Sequence, residues 1–284
     1  MSELTITGPR PLVGEVRVPG DKSISHRALL CAAVAEGTSH LSGLADGEDV
    51  AATRAVVEAL GVRVKGDVKG DTPVVTVRGR GFGGLAEPET VLDCANSGTS
   101  ARLLAGLLAG RPFHSVLDGD SSLARRPMDR VAEPLRVMGA RIDGRAGGAR
   151  LPLSIRGGGL SGARFELAVA SAQVKTALLL AGLQASGPTE VTEPAPSRDH
   201  TERMLGVLGA RLTLLPGGDG GPGGDGGGVR VEPGPLGAFD LAVPGDPSSA
   251  AFFVVAATVT PGSDLVVADV GLNPRRCAFV GVLR

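Results

Sequence analysis

Apolar runs that open with small hydroxyl residues recur four times along the chain. They begin near Ser23, Thr99, Ser171 and Ser248, and each continues as a mostly apolar segment. Matching the paired large side chains at 29–30, 103–104, 179–180 and 253–254 places the copies about 75 residues apart. An apolar run of this length predicts a buried helix, so the sequence predicts a repeat protein with one such helix in each copy.

The first three copies continue in the same way. Each has a second helical segment that ends at a glycine, namely Gly61, Gly139 or Gly209, and then an alternating strand at residues 74–78, 151–156 or 229–232. The repeat is therefore predicted to be helix, strand, helix and hairpin. The glycine-rich tract 217–228 is predicted to be the turn of the third hairpin rather than a domain linker. The fourth copy starts similarly, but its second helix and hairpin are expected beyond residue 284.

The amino-acid composition mainly argues against certain classes of function. The 284 residues are 42% hydrophobic and 21% charged, with a net charge of −1, which is typical of a soluble globular protein of about two domains. Aromatic residues make up only 2%, and basic residues are not in excess, which disfavours nucleic-acid binding. Three distant cysteines, with no CxxC spacing, predict no metal site and a reducing compartment. No signal peptide or membrane span is predicted, so we expect a cytoplasmic protein without membrane partners.

Basic residues lie close to the predicted helix starts. Lys22, Arg27, Arg126 and Lys175 are near segments whose serine and threonine hydroxyls can cap a helix. Several helix N-termini that meet in one cleft would add their positive dipole ends. The pattern therefore predicts a site for phosphate or carboxylate groups.

Six sequence blocks are specific enough to indicate a family. They are 19–30 (PGDKSISHRALL), 96–103 (NSGTSARL), 119–128 (GDSSLARRPM), 171–178 (SAQVKTAL), 197–205 (SRDHTERML) and 243–252 (VPGDPSSAAF). In this order and spacing they resemble the 3-phosphoshikimate 1-carboxyvinyltransferases, or EPSP synthases, from about residue 4 to the last residue.

The resemblance implies an α/β fold, a two-domain inverse α/β barrel built from βαβαββ-type units of about 75 residues, with the second domain incomplete. It implies an inserted domain of three repeats at 21–240. A partial second domain, with one repeat of three, would comprise 1–20 and 241–284. A complete family member is expected to be a monomer.

The resemblance also implies a reaction. The 5-hydroxyl of shikimate 3-phosphate attacks C2 of phosphoenolpyruvate while C3 is protonated, and the adduct then loses phosphate to give 5-enolpyruvylshikimate 3-phosphate. This step of the shikimate pathway leads to chorismate and aromatic amino acids. It is expected to need these two small-molecule substrates and no metal or organic cofactor. The herbicide glyphosate is expected to occupy the phosphoenolpyruvate site.

Site roles carry over to positions that match the family blocks. The residues expected to bind shikimate 3-phosphate are Lys22, Ser23, Arg27, Ser171, Gln173 and Ser197. Those expected to bind phosphoenolpyruvate are Lys22, Asn96, Gly98, Arg126 and Gln173. Ala172 replaces a second serine found in many relatives, so one hydrogen bond to the ligand is expected from backbone only. The chain contains just two asparagines, Asn96 and Asn273.

The catalytic acid and base are left unassigned, because the family's carboxylates are expected beyond residue 284. Asp49, Asp246 and Asp269 are the carboxylates to test if the chain turns over alone. Two alternatives stay open. One is UDP-N-acetylglucosamine enolpyruvyl transferase, although that family has Lys-Asn where this chain has Lys22-Ser23, and the other is a non-catalytic phosphate-binding protein.

Three further features receive a structural interpretation. His26 is expected to be a packing or supporting group rather than a catalyst, and Cys94 a small apolar side chain rather than a nucleophile. Residues 79–84 match GxGxxG after a strand, but no helix is predicted to follow, so a dinucleotide site is rejected.

Overall fold

The computed structural model describes residues 8, 10–69, 72–217 and 226–283. Over these residues the chain forms eight α-helices and fifteen β-strands. The helices are α1 (Lys22–Val34), α2 (Glu48–Ala59), α3 (Gly98–Ala109), α4 (Asp129–Val137), α5 (Ala172–Gly182), α6 (His200–Val207), α7 (Pro247–Val259) and α8 (Ala278–Val282). The strands are β1 (Val13–Arg17), β2 (Ala35–Ser42), β3 (Arg63–Lys69), β4 (Thr72–Arg80), β5 (Leu92–Asp93), β6 (His114–Asp118), β7 (Arg141–Gly144), β8 (Leu153–Arg156), β9 (Arg164–Glu166), β10 (Thr189–Thr192), β11 (Leu212–Leu215), β12 (Gly228–Val231), β13 (Leu236–Gly237), β14 (Asp240–Ala242) and β15 (Asp264–Ala268).

The sheets of the second and third repeats share one strand order. The second is β5-β6-β8-β7 and the third is β9-β10-β12-β11. In each sheet the first two strands are parallel and the remaining neighbours are antiparallel. Parallel strands need a crossover connection, and here α3 or α5 provides it. The βαβαββ unit is therefore confirmed in both repeats.

The first repeat takes its parallel edge strands from a distant part of the sequence. Strands β2, β4 and β3 are antiparallel neighbours, while β13 and β14 both lie parallel to β2. Leu236 is opposite Ala35, and Leu241 is opposite Leu41. The chain thus returns from the third repeat to the first. The domain division at 20/21 and 240/241 remains a prediction, although β14 crosses its second boundary.

Inner helices α1, α3 and α5 form the buried centre of the three repeats. Leu29, Leu104 and Leu179 are fully buried, one on each helix. A helix that is apolar around its whole circumference is stable only where neighbours cover every side. Helices α3 and α5 approach so closely at Gly106 that a Cβ there would lie 2.2 Å from the Ala177 carbonyl oxygen. Only glycine permits this contact.

The hairpin of the third repeat agrees with the sequence prediction. Strands β11 and β12 are antiparallel, with Leu215 opposite Gly228. The middle of the predicted glycine-rich turn, residues 218–225, lies outside the described residues. The GxGxxG match leads from β4 into a short 3₁₀ turn, Phe82–Gly84, and the next α-helix begins only at Gly98. The expectation that no α-helix directly follows this pattern is therefore confirmed.

The fourth copy places an apolar helix at the surface. Strand β1 pairs in parallel with β15, and helix α7 contacts β15. In α7 only Pro247 and Ala250 are buried, whereas Phe252 is 80% and Val259 71% exposed. The described residues therefore leave most of this apolar helix uncovered, whereas the sequence pattern predicts a buried helix in each copy. Among these residues, no helix combines the length and the apolar character that crossing a membrane requires.

Candidate functional site

Four helix N-termini carry the predicted site, but their capping residues differ from the sequence expectation. The N-caps of α1, α3, α5 and α7 are Asp21, Ser97, Ser171 and Asp246, and each side chain accepts a backbone N–H in the first turn. The prediction that every helix begins with a hydroxyl is therefore wrong for α1 and α7. A carboxylate caps a helix as well as a hydroxyl does, but it brings a negative charge.

Lys22 occupies the first position of α1 and is half-exposed. Its Nζ lies 2.8 Å from Oδ2 of Asp49, which is in the first turn of α2. Next to it, the Ser23 hydroxyl accepts a hydrogen bond of 3.1 Å from Arg198. Burial and the charge of Arg276 lower the pKa of Arg198. Arg198 lies in one of the family blocks, but the resemblance assigned it no role; the structure places it beside Ser23.

Arg27 joins the first and third repeats from a buried position. Its Nε donates to the Thr201 hydroxyl at 2.7 Å, and Nη2 donates to the Thr176 hydroxyl at 2.9 Å. Its Nη1 donates to the Ser23 carbonyl at 3.0 Å. Burial lowers the pKa of Arg27 to about 10, so the guanidinium stays charged at neutral pH. Arg27 therefore fixes α1 against α5 and α6, while its predicted contact with a ligand remains a prediction.

Ser171 and Ser197 share one buried carboxylate, Glu193. The Ser171 backbone N–H donates to Glu193 Oε1 at 2.8 Å, and the Ser197 hydroxyl donates to Oε2 at 2.7 Å. Glu193 therefore joins the start of α5 to the segment that precedes α6. No sequence motif marked Glu193, since only the folded chain brings it next to the two serines.

Lys175 does not contribute an available positive charge, contrary to the sequence expectation. Its Nζ lies 2.6 Å from Glu193 Oε2 and 2.7 Å from Glu202 Oε1. The three side chains are only 3%, 4% and 9% exposed. The lysine charge is thus compensated by two carboxylates inside the third repeat. The predicted anion site would therefore use cations other than Lys175.

Asn96 and Arg126 form the second group of predicted residues. Arg126 Nη2 donates to Asn96 Oδ1 at 2.5 Å, and Asn96 Nδ2 donates to Asp120 Oδ2 at 2.6 Å. The hydrogen bond from Asn96 lowers the pKa of Asp120 and keeps this carboxyl ionised. Asn96 is therefore held between a cation and an anion, which fixes the direction of its amide.

Gly98 and Gln173 meet through Arg102, a residue that sequence reasoning missed. Arg102 Nη1 donates to Gln173 Oε1 at 2.7 Å, and Gln173 Nε2 donates to the Thr99 hydroxyl at 2.9 Å. Burial, together with the charges of Arg130 and Arg126, lowers the pKa of Arg102 to about 10. A Cβ on Gly98 would lie 2.9 Å from Arg102 Nη1 and 3.3 Å from Arg126 Nη1. Glycine therefore leaves room for both guanidinium groups.

A chain of buried hydroxyls connects the helix starts. His26 Nδ1 lies 2.7 Å from Thr53 Oγ1, which lies 2.6 Å from Ser100 Oγ, and Ser100 in turn donates to Ser97 Oγ. Burial lowers the pKa of His26 to about 4, so its ring is neutral at pH 7. Burial raises the pKa of Cys94 to about 12, which keeps the thiol protonated. These environments support the structural interpretation of both residues.

The predicted site residues fall into two connected groups. Lys22, Ser23, Arg27, Ser171 and Ser197 lie around the starts of α1 and α5, and Arg27 also bonds the Ala172 carbonyl. Asn96, Gly98 and Arg126 lie around the start of α3, and Gln173 of α5 joins that group through Arg102. Among the described residues, no group of three or more histidine, cysteine or acidic side chains is arranged to hold a metal ion.

Known proteins that are similar to this chain in sequence and fold carry a consistent name. Residues 6–284 match the family EPSP synthase (3-phosphoshikimate 1-carboxyvinyltransferase). The chain is 50% identical over its whole length to the 3-phosphoshikimate 1-carboxyvinyltransferase of Geobacter sp. (strain M21), covering 63% of that protein. It is 54% identical to the enzyme of the same name from Synechococcus sp. (strain RCC307), covering all of this chain and 64% of the relative.

A solved structure agrees with these sequence matches. The EPSP synthase of Acinetobacter baumannii superposes with a TM-score of 0.85 at 44% identity, over 97% of this chain and 59% of that one. The chain therefore spans a little under two thirds of the length of its curated relatives. The match over residues 6–284 is sufficient to assign the family: this chain belongs to the EPSP synthases.

Proposed function

We propose that the chain binds shikimate 3-phosphate and phosphoenolpyruvate, and that it takes part in transfer of the enolpyruvyl group to the 5-hydroxyl of shikimate 3-phosphate. The observation that carries this proposal is the junction of α1 and α5. There Lys22, Ser23 and Ser171 lie at helix N-termini, and Arg27 joins α1 to α5. Glu193 joins Ser171 to Ser197, which lies in the segment that precedes α6. Hydroxyls, N–H groups and cations at helix starts suit a phosphate group.

The second group of residues supports a separate anion subsite. Arg126 is held by Asn96, and the buried guanidinium of Arg102 lies beside Gln173. Two cations and a glycine that leaves space for them would suit the carboxylate and phosphate of phosphoenolpyruvate. Because Gln173 and Ser171 lie two positions apart at the start of α5, the two subsites would be adjacent. That adjacency is what a reaction between two bound anions requires.

The ion pair between Lys22 and Asp49 suggests how an anionic ligand would bind. The Lys22–Asp49 pair is partly exposed, and such pairs contribute less than about 1 kcal/mol. A phosphate dianion can therefore replace Asp49 as the partner of Lys22 at little cost. A lysine ammonium has three donors and can contact two anions at once. We place Lys22 between the two substrates for this reason.

The proton-transfer steps are not assigned to residues of this chain. The attacking hydroxyl must lose a proton, and C3 of phosphoenolpyruvate must gain one and later release one as phosphate leaves. We propose that these steps use carboxylates in the part of the family's length that this chain does not span. A cytoplasmic location and a monomeric complete protein remain predictions.

Two measurements test the proposed function. Titration calorimetry of the chain should show binding of shikimate 3-phosphate and none of UDP-N-acetylglucosamine. Replacing Lys22 by alanine should weaken that binding at least tenfold, which corresponds to about 1.4 kcal/mol. Binding of the UDP-sugar in place of shikimate 3-phosphate would support the alternative transferase and overturn the proposal.

Turnover separates an enzyme from a binding protein. We expect the chain alone to release no phosphate from the two substrates. Joined to the C-terminal third of the Geobacter relative, it should release phosphate and form an enol ether. Binding without turnover in the joined protein would favour a non-catalytic phosphate-binding role.

A further inference from the structure

Two connecting segments, one between β1 and α1 and one between β14 and α7, run side by side, and Arg276 lies next to them. The segments are hydrogen-bonded to each other, since Asp21 N–H donates to the Pro244 carbonyl at 2.8 Å and Asp246 N–H donates to the Pro19 carbonyl at 2.9 Å. Each segment ends at an aspartate that caps a helix. Two carboxylates, Asp21 and Asp246, are therefore brought together at the starts of α1 and α7.

Arg276 bridges these two carboxylates. Its Nη1 lies 3.3 Å from Asp21 Oδ2, and its Nη2 lies 3.0 Å from Asp246 Oδ1 and 2.7 Å from Ser248 Oγ. The arginine side chain is 7% exposed, and those of Asp21 and Asp246 are 1% and 14% exposed. Two carboxylates that contact the same guanidinium repel each other, and they do so more strongly where water is excluded. A planar guanidinium can compensate both carboxylates at once, which a single ammonium does less well.

The position of Lys22 depends on the same two aspartates. Lys22 directly follows Asp21, and its backbone N–H donates to Asp246 Oδ2 at 3.4 Å. The charges of Arg276, Asp21 and Asp246 also act on Arg198, which bonds Ser23. Arg276 thus influences both residues that begin the first turn of α1. It does so without lying in any segment to which the family resemblance assigned a substrate contact.

Neighbouring residues anchor Arg276 to the third repeat. Asn273 Nδ2 donates to Asp199 Oδ1 at 2.6 Å, and Arg275 donates to the Ser197 carbonyl at 2.8 Å. The segment 273–276 therefore contacts the first repeat, the third repeat and the start of α7. Asn273, singled out in the sequence but given no role there, is one of these anchors.

We propose that Arg276 is a positioning residue for the anion site, which holds Lys22 and Ser23 at the start of α1 by compensating Asp21 and Asp246. This inference rests on the proposed function for its ligand, shikimate 3-phosphate. Removing the guanidinium would leave two uncompensated carboxylates beside Lys22. Both the added negative charge and the displaced helix start would weaken binding of a phosphate dianion.

Titration calorimetry with shikimate 3-phosphate tests the proposal in the 284-residue chain. Arg276→Gln should weaken binding at least tenfold. The double variant Arg276→Gln with Asp246→Asn restores the charge balance and should bind within about threefold of wild type. The control is Arg136→Gln, since the side chain of Arg136 bonds the Ile142 and Gly147 carbonyls within the second repeat. If Arg276 has only a structural role, Arg276→Gln and Arg136→Gln should both lower the melting temperature and leave the affinity for shikimate 3-phosphate unchanged. That result would overturn the proposal.

A measurement without ligand separates this inference from the proposed function. The chain has four lysines, Lys22, Lys65, Lys69 and Lys175, so reductive ¹³C-methylation should give a resolvable NMR signal for Lys22. Arg276→Gln should shift that signal, and Arg136→Gln should not. If the wild-type chain fails to bind shikimate 3-phosphate but the shift is seen, the function is wrong and the positioning role stands. An unshifted Lys22 signal in folded Arg276→Gln overturns the positioning role.

Discussion

The ammonium of Lys22 and the carboxylate of Asp49 lie 2.8 Å apart and join the first turns of α1 and α2. The lysine side chain is 54% exposed and the aspartate 25%. The pair is therefore accessible to solvent and is screened by it. An incoming anion must compete with Asp49 for Lys22.

Asp49→Asn should strengthen binding of shikimate 3-phosphate by a few fold. The substitution keeps the shape of the side chain but removes the negative charge that competes with the ligand. Calorimetric titration of the variant and of wild type at low and at high salt checks this, and the difference should shrink at high salt. A weaker affinity in Asp49→Asn would indicate that Asp49 itself orients Lys22 for the ligand.

Gly98→Ala should reduce glyphosate inhibition more than it reduces use of phosphoenolpyruvate. The added methyl would contact the guanidinium groups of Arg102 and Arg126, which must then move, and a tightly filled site tolerates the bulkier ligand less. The inhibition constant and the KM for phosphoenolpyruvate, measured in the chain joined to the C-terminal third of a relative, test this. Equal inhibition constants in the variant and wild type would show that Gly98 does not line the subsite.

The buried histidine predicts an acid-sensitive fold. His26 binds a proton at about pH 4 when folded, because burial opposes the charge, and near pH 6.5 when unfolded. Between these values the unfolded state binds more protons. The contribution of His26 to the free energy of unfolding is therefore fully present above pH 6.5 and is lost as the pH falls towards 4. The loss amounts to about 3 kcal/mol for this group. Urea unfolding at pH 7 and pH 5 should show a smaller difference for His26→Gln than for wild type.

Lys175→Met should destabilise the third repeat by about 3–5 kcal/mol, because Glu193 and Glu202 would remain buried without a cation. Urea unfolding monitored by circular dichroism measures this change. A suitable control is Arg203→Met, which breaks a pair with Asp199 in which the arginine side chain is largely exposed, and it should cost less than about 1 kcal/mol. If the triple variant Lys175→Met, Glu193→Gln, Glu202→Gln regains stability, the loss in Lys175→Met is due to uncompensated charge. Equal losses of stability in Lys175→Met and Arg203→Met would contradict this prediction.

The exposed face of α7 should promote self-association of the chain. Phe252 is 80% exposed on an apolar helix, and a contiguous apolar surface favours contacts between molecules. Phe252→Gln should lower the average molecular mass that sedimentation measures at high protein concentration, and it should leave the melting temperature unchanged. Leu103→Gln, at a fully buried position, should instead lower the melting temperature. An unchanged average mass in Phe252→Gln would show that α7 is not the contact surface.

The sequence by itself determined the repeat and its elements. The apolar runs around Leu29, Leu103 and Leu179 predicted helices that are buried in the structure, whereas the similar run of α7 is largely exposed because the described residues do not cover it. Glycines at 61, 139 and 209 mark helix ends because each has a positive φ, which other residues avoid. The family blocks also contain the predicted site residues, and each block lies at or next to a helix start.

Tertiary structure decided which charges are available. Lys22 and Lys175 look alike in the sequence, yet Lys175 is enclosed by two glutamates while Lys22 reaches solvent. Glu193, Arg102 and Arg276 were not identified because their partners are distant along the chain, as in the contact between Arg276 and Asp21. Local sequence patterns report helix periodicity and capping, which depend on residues a few positions apart. The energy of a charge depends instead on burial and on neighbours that only the folded chain brings together.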